Sequence, residues 1–195
     1  LSNYEKAIES FSQCRVPLIH ELGNHEIRTM SLKDIASIWE KFDYTRSFYG
    51  KLDIGNCQCI FLSIKMQLGV DSTYTYMIPE EDLEFLETSL EKSSSPTFIL
   101  AHCALNAHDT SGNFFDVPGS SPAFYFKNLQ KFQDIISKYK SVKVVFQGHL
   151  HYFQLKYHKK TPYIIIPSFI DNICAPNCVI IRLKFILSLI IAIKN

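Results

Sequence analysis

Net charge is almost absent from this chain. Twenty Lys and Arg against 19 Asp and Glu leave a formal +1 at pH 7 over 195 residues. No long-range field therefore draws the protein to nucleic acid or to an anionic membrane surface, and a charged substrate has to be met locally. A basic stripe is also missing, which argues against a nuclease. No internal repeat and no long linker divide the sequence, so one domain over residues 1–185 is expected. No apolar run reaches the roughly 20 residues that span a bilayer. The most apolar stretch, Phe185 to Ile193, has Arg182 and Lys184 just upstream. It reads as a last strand running into an apolar tail, residues 186–195, with a short membrane anchor as the alternative; no membrane partner is expected. No signal-peptide pattern opens the chain, and the first residue is Leu1 rather than Met. A piece of a longer protein is the expectation. The six cysteines, Cys14, Cys57, Cys59, Cys103, Cys174 and Cys178, lack a tight framework. They read as reduced core thiols of a cytoplasmic protein.

What is present is apolar material in an alternating order. Hydrophobic residues make up 47% of the chain, enough for a substantial core, and helical and extended patterns alternate as in a layered α/β domain. Tyr4, Ile8 and Phe11 recur at helical spacing. Val16-Pro17-Leu18-Ile19 reads as a short buried strand. Ser31 caps a helix whose apolar face is Ile35, Ile38, Trp39 and Phe42. Residues 46–64 form a hairpin turning at Asp53-Ile54-Gly55-Asn56. The returning strand puts Cys57 and Cys59 on one face, as packing residues. Pro79 with Glu80, Glu81 and Asp82 opens a further helix. Strands are expected at Thr97–Ala101, Val142–Phe146, Tyr163–Ile166 and from about Val179, with a helix over 122–139 and a polar loop over 104–121 beside the site.

Three of the apolar, strand-like runs end in histidine clusters: Gly23-Asn24-His25-Glu26, Ala101-His102 and Gly148-His149-Leu150-His151. Open α/β sheets collect their sites at the carboxyl ends of strands. Imidazole nitrogen and the amide oxygen of Asn24 suit manganese, iron or zinc. On extended backbone His149 and His151, two residues apart, project to the same side. Asn24, His102, His149 and His151 thus form a candidate ligand set. His20, His108 and His158 belong to no motif, and Arg28 and Arg46 read as surface cations.

With these motifs the chain resembles the calcineurin-like metallophosphoesterases, a family that includes purple acid phosphatases and class III cyclic nucleotide phosphodiesterases. The family's Gly-Asn-His-Asp/Glu, mid-chain metal histidine and Gly-His-x-His are similar to the three clusters in the same order, from about Val16 to Leu183. The resemblance implies an α/β/β/α sandwich and hydrolysis of a small phosphorylated substrate, monoester or diester, the cyclic nucleotide branch being one candidate. It implies two divalent ions (Mn, Fe or Zn), with Asn24, His102 and His149 on the second and His151 on the first. Such a pair activates a water for in-line attack. The family's non-ligating histidine is similar to His25, which would contact the phosphoryl oxygen and assist the leaving group as the catalytic residue.

The family's Asp-x-His and Gly-Asp-x-x-Asp motifs are not found in residues 1–15. Those motifs supply most of the first metal site and the carboxylate bridging both ions. Their absence leaves neutral ligands only, so this chain is expected to bind metal poorly and to have little activity. Missing early strands would also leave an exposed sheet edge. The alternative reading is a non-catalytic binding or scaffold protein that keeps the fold without turnover.

Overall fold

The computed structural model describes residues 2–13, 20–42, 47–68, 74–103, 105, 127–167, 179–182 and 188–191. The expected strand at 16–19, most of the loop at 104–121, and His108, Arg46, Cys14, Cys174 and Cys178 lie outside them.

The centre of the molecule is built from two hairpins and two parallel strands. Gly50–Ile54 (β1) and Cys57–Phe61 (β2) pair antiparallel around Gly55, whose φ of +60° suits a residue without a side chain. Thr97–Ala101 (β5) lies parallel to β2, and Val142–Gln147 (β6) parallel to β5. Gln154–His158 (β7) and Thr161–Ile165 (β8) form the second hairpin, and β8 lies parallel to β6. The spatial order is β1-β2-β5-β6-β8-β7. Every residue of β2 and β5 is buried, as expected of parallel strands covered on both faces.

Alternation along these strands makes two cores. Ile60, Leu62, Ile99, Ala101 and Val145 face the helices: Asn3–Ser12 (α1), Leu32–Lys41 (α3), Glu80–Glu91 (α4) and Leu129–Ser137 (α5). Ile8, Ile35, Trp39, Leu83, Leu86, Phe132 and Ile136 are their contributions. On the opposite face Cys57, Cys59, Phe61, Phe98, Leu100, Val144, Phe146 and Ile166 form a second apolar cluster. The chain therefore has the layered α/β class expected from its sequence. Ser31 caps α3 by accepting from the Asp34 N–H at 3.1 Å, and Ser2 caps α1 the same way through Glu5.

Several elements differ from the sequence expectation. The helix expected over 122–139 begins at Leu129 among the described residues and gives way to a turn at Lys138. Lys65–Leu68 (β3) and Tyr74–Met77 (β4) form an unexpected separate hairpin, each too short to display a period. Strand β7 was also unexpected. It is an edge strand on which Leu155 and Tyr157 point outward, the reverse of the apolar-in pattern that marks a strand. Val179–Arg182 (β9) pairs antiparallel with Ser188–Ile191 (β10), so part of the apolar tail is strand. No helix among the described residues is long and apolar enough to cross a membrane.

Candidate metal centre

The sheet carries the site by running β5 and β6 side by side in one direction. Ala101 and Gln147 are register partners at their carboxyl ends. The ladder continues one step further, where the Gly148 N–H donates to the His102 carbonyl at 3.0 Å. This step brings the rings of His102 and His149 together, with centroids 5.2 Å apart and the planes tilted by 65°.

Asn24 reaches the same point from the start of a short helix, Asn24–Thr29 (α2). Its Oδ1 lies 2.8 Å from His102 Nε2 and 3.1 Å from His149 Nδ1. All three side chains are buried. The glycine before Asn24 is a matter of space. A Cβ at Gly23 would lie 2.8 Å from His102 Cε1 and 3.0 Å from Glu26 Oε2, inside van der Waals contact. Glu26 holds the turn from the other side, its Oε2 accepting the Gly23 N–H at 2.9 Å. This carboxylate is bound to its own backbone.

The backbone at Gly148-His149-Leu150-His151 corrects one expectation. His149 and His151 do not sit on extended chain. Both have left-handed φ, 68° and 60°, a region that costs non-glycine residues on the order of 1 kcal/mol or more. Between them Leu150 is fully buried and its N–H donates to the Gly148 carbonyl at 2.8 Å. A tight turn anchored by Leu150, not the pleat of a strand, sets the direction of the two histidines. His149 is buried and His151 half-buried.

Four imidazoles share the neighbourhood. Burial holds His102 well below the ordinary imidazole range, and His149, His25 and His151 add to the effect through their charge. His102 is therefore a neutral ring, the form in which imidazole donates a lone pair. His25 is exposed on α2 beside the buried Asn24. Tyr76 packs edge-on against His149, 5.8 Å between ring centroids, and burial pushes its phenol pKa up. The Arg28 guanidinium lies 4.6 Å over the Tyr74 ring. His20 is set apart from this cluster, packed among Tyr4, Phe11 and Trp39.

Cys103, read from sequence only as a core thiol, joins the centre. One donor atom each from His102, Cys103 and His149 lies within 4.8 Å of the others, and all three residues are buried. With Asn24 Oδ1 in contact with both imidazoles, the residues fit a single divalent ion as a mixed nitrogen, oxygen and sulfur set. Among the described residues no carboxylate joins this group. Behind it, Glu21 has both carboxyl oxygens buried with no hydrogen-bond partner among the described residues, and burial pushes its pKa well up. Tyr76 and Glu21 carried no signal in the sequence. Cys103 carried one, its place immediately after His102.

The fold has known counterparts. The chain is similar to the crystal structure of a dimetal phosphatase from Danio rerio, with a TM-score of 0.65 and 12% sequence identity. The alignment covers 84% of this chain and 65% of that one, so this chain spans about two thirds of that structure's length. At this identity the likeness establishes a shared fold. A candidate 5'-nucleotidase from Staphylococcus aureus aligns over 75% of this chain and 28% of its own, with a TM-score of 0.32 and 12% identity. No family model and no curated protein matches the sequence.

Proposed function

We propose that the protein is a metal-dependent hydrolase of phosphate esters, of the metallophosphoesterase kind. The observation that carries this reading is the meeting of Asn24 Oδ1 with His102 Nε2 and His149 Nδ1 at 2.8 and 3.1 Å. It occurs at the carboxyl edge of a sheet whose fold is shared with a dimetal phosphatase. Residues 78 and 125 positions apart along the chain have no need to converge there for packing alone.

Asn24, His102 and His149 would hold one divalent ion, and His151, on the rim of the same cluster, would serve a second. Bound ions of this kind supply Lewis acidity and a water of lowered pKa. The protein's own residues do the rest. Burial keeps the His102 ring neutral and dry. The left-handed turn at His149 and His151 sets the direction of their rings without strand support. His25, exposed beside Asn24 on α2, would donate a proton to a departing ester oxygen. The substrate is a small phosphorylated molecule, diester or monoester; the near-neutral surface gives no reason for a polyanionic one.

The test is a manganese-supplemented assay that compares an activated phosphodiester with the corresponding monoester, using the protein and its His25→Ala variant. Slow hydrolysis of either ester, in keeping with the absent Asp-x-His and Gly-Asp-x-x-Asp motifs, and a further loss of about 100-fold or more on substitution are the expected result. Equal rates with and without His25 remove it from the reaction. No metal-dependent turnover of either ester favours a scaffold that retains the fold.

A further inference from the structure

We propose that Cys103 is itself a metal ligand. Its thiolate, with the imidazoles of His102 and His149 and the amide oxygen of Asn24, makes a site for one zinc-type divalent cation. The inference rests on the metal-centre reading above and adds to it a ligand and a class of metal.

Geometry carries the argument. Donor atoms of His102, Cys103 and His149 already lie within 4.8 Å of one another, and Asn24 Oδ1 touches both rings. Nitrogen and sulfur at ordinary zinc bond lengths in a tetrahedron are separated by about 3.5 Å, so the donors have to draw closer on binding. The residue is wholly closed to solvent, lies in the helix-side core with Ile99 and Ala101, and stands directly after His102, beyond the end of β5.

Charge is the second consideration. Asn24, His102 and His149 are neutral donors, and three neutral donors do little to offset a divalent cation. A thiolate brings one negative charge into the first shell without any carboxylate. On binding, the S–H bond gives up its proton to the buffer and the remaining electron pair becomes the donor pair. Sulfur also sets the preference, because a soft donor shifts selection from manganese and magnesium towards zinc and its spectroscopic substitute cobalt. Burial and the nearby Glu21 hold the free thiol protonated, so the thiolate forms only together with the bound cation.

The experiment is a titration of the protein with Co(II), followed in the near ultraviolet for thiolate-to-cobalt charge transfer, and competition of the bound cobalt by Zn(II). The expected result is a charge-transfer band that saturates at one ion per chain and is erased by zinc. The Cys103→Ser variant should lose the band and bind zinc more than about 100-fold more weakly, while Cys59→Ser retains both. X-ray absorption of the zinc-loaded wild-type protein gives a reading that needs no variant: a sulfur scatterer at about 2.3 Å. No sulfur shell in the wild type, or an unchanged band in Cys103→Ser, overturns the proposal. Ester hydrolysis distinguishes the two readings. Turnover that persists in Cys103→Ser with unaltered zinc affinity defeats the thiolate ligand alone. A Cys103-dependent band without turnover of any ester defeats the hydrolase alone.

Discussion

Cys59 and Cys103 are both closed to solvent, both within electrostatic reach of Glu21, and both carried by adjacent parallel strands or their ends. Their surroundings nevertheless differ. Burial raises the pKa of both thiols, but Cys59 lies in mid-strand on the face formed by Phe61, Phe98, Leu100 and Phe146. Cys103 lies two residues past Ala101, the last register position of β5, where His102, His149 and Asn24 converge. On the proposed reading, one of two equally buried thiols is a packing residue alone and the other, though also in the core, serves as a donor. The difference is set by whether the strand has ended. Inside the ladder the pleat dictates which face a side chain joins; beyond it, turns such as the one at Leu150 do.

The largest effect that would sharpen this comparison is expected from His149→Ala. Even partners that only support a ligand are worth roughly ten- to a hundredfold in affinity, and removing the ligand itself should weaken Co(II) or Zn(II) binding by more than about 100-fold. Titration calorimetry would check this, and undiminished affinity would separate His149 from the site.

Next is Gly23→Ala. The new methyl group would fall 2.8 Å from His102 Cε1, and His102 is held by Asn24 and cannot retreat freely. Overpacking of this kind costs about 1–3 kcal/mol, to be read as a lowered denaturation midpoint. Metal affinity should fall with it, because the displaced atom belongs to a donor ring. A midpoint unchanged by the substitution would show that the strand-end site is as yielding as a loop.

A third prediction uses a buried acid on α4, Asp82. Asp82 Oδ2 accepts from the Ser63 N–H at 2.6 Å and from its hydroxyl at 2.8 Å, while Oδ1 is buried without a partner among the described residues. Burial outweighs the Ser63 hydrogen bonds and pushes its pKa up to about 6 from 3.8. The folded state therefore holds the proton more tightly than the unfolded one. Stability is greatest below pH 4, falls as pH rises to about 6 and is level above that, for a total of about 1–3 kcal/mol. Asp82→Asn keeps an acceptor for Ser63 and loses the charge, so denaturation midpoints measured from pH 4 to 7 should lose this slope. A slope that survives would assign it to another group.

The smallest expected effect is Cys59→Ala, about 1 kcal/mol of lost packing, with metal binding untouched. Equal metal loss in Cys59→Ala and Cys103 variants would erase the distinction with which the comparison began.

Much of this was legible beforehand, and the failures share a cause. Helix α3 was readable because Ser31, Asp34 and the spacing of Ile35 and Trp39 are local signals. The parallel strands were readable because burial on both faces demands continuous apolar runs. Strand β7 was not, since its outward Leu155 and Tyr157 invert the usual pattern at a sheet edge. The turn at His149 and His151 was not, because left-handed backbone in non-glycine residues is imposed by packing, here of Leu150, and leaves no compositional trace. Glu26 is an intermediate case. The spacing to Gly23 fits the bond to backbone at 2.9 Å, yet a carboxylate beside a histidine motif could equally have faced the site.

By itself the sequence determined the layered α/β class, the order of the main elements and the three histidine clusters at their ends, because each depends on periods and caps set by near neighbours. The tertiary structure alone decided which donors meet. Asn24, His102, Cys103 and His149 come together only through the parallel register of β5 and β6 and the close approach at Gly23. Contacts between residues far apart in the chain follow from how strands align, and no local pattern encodes that alignment.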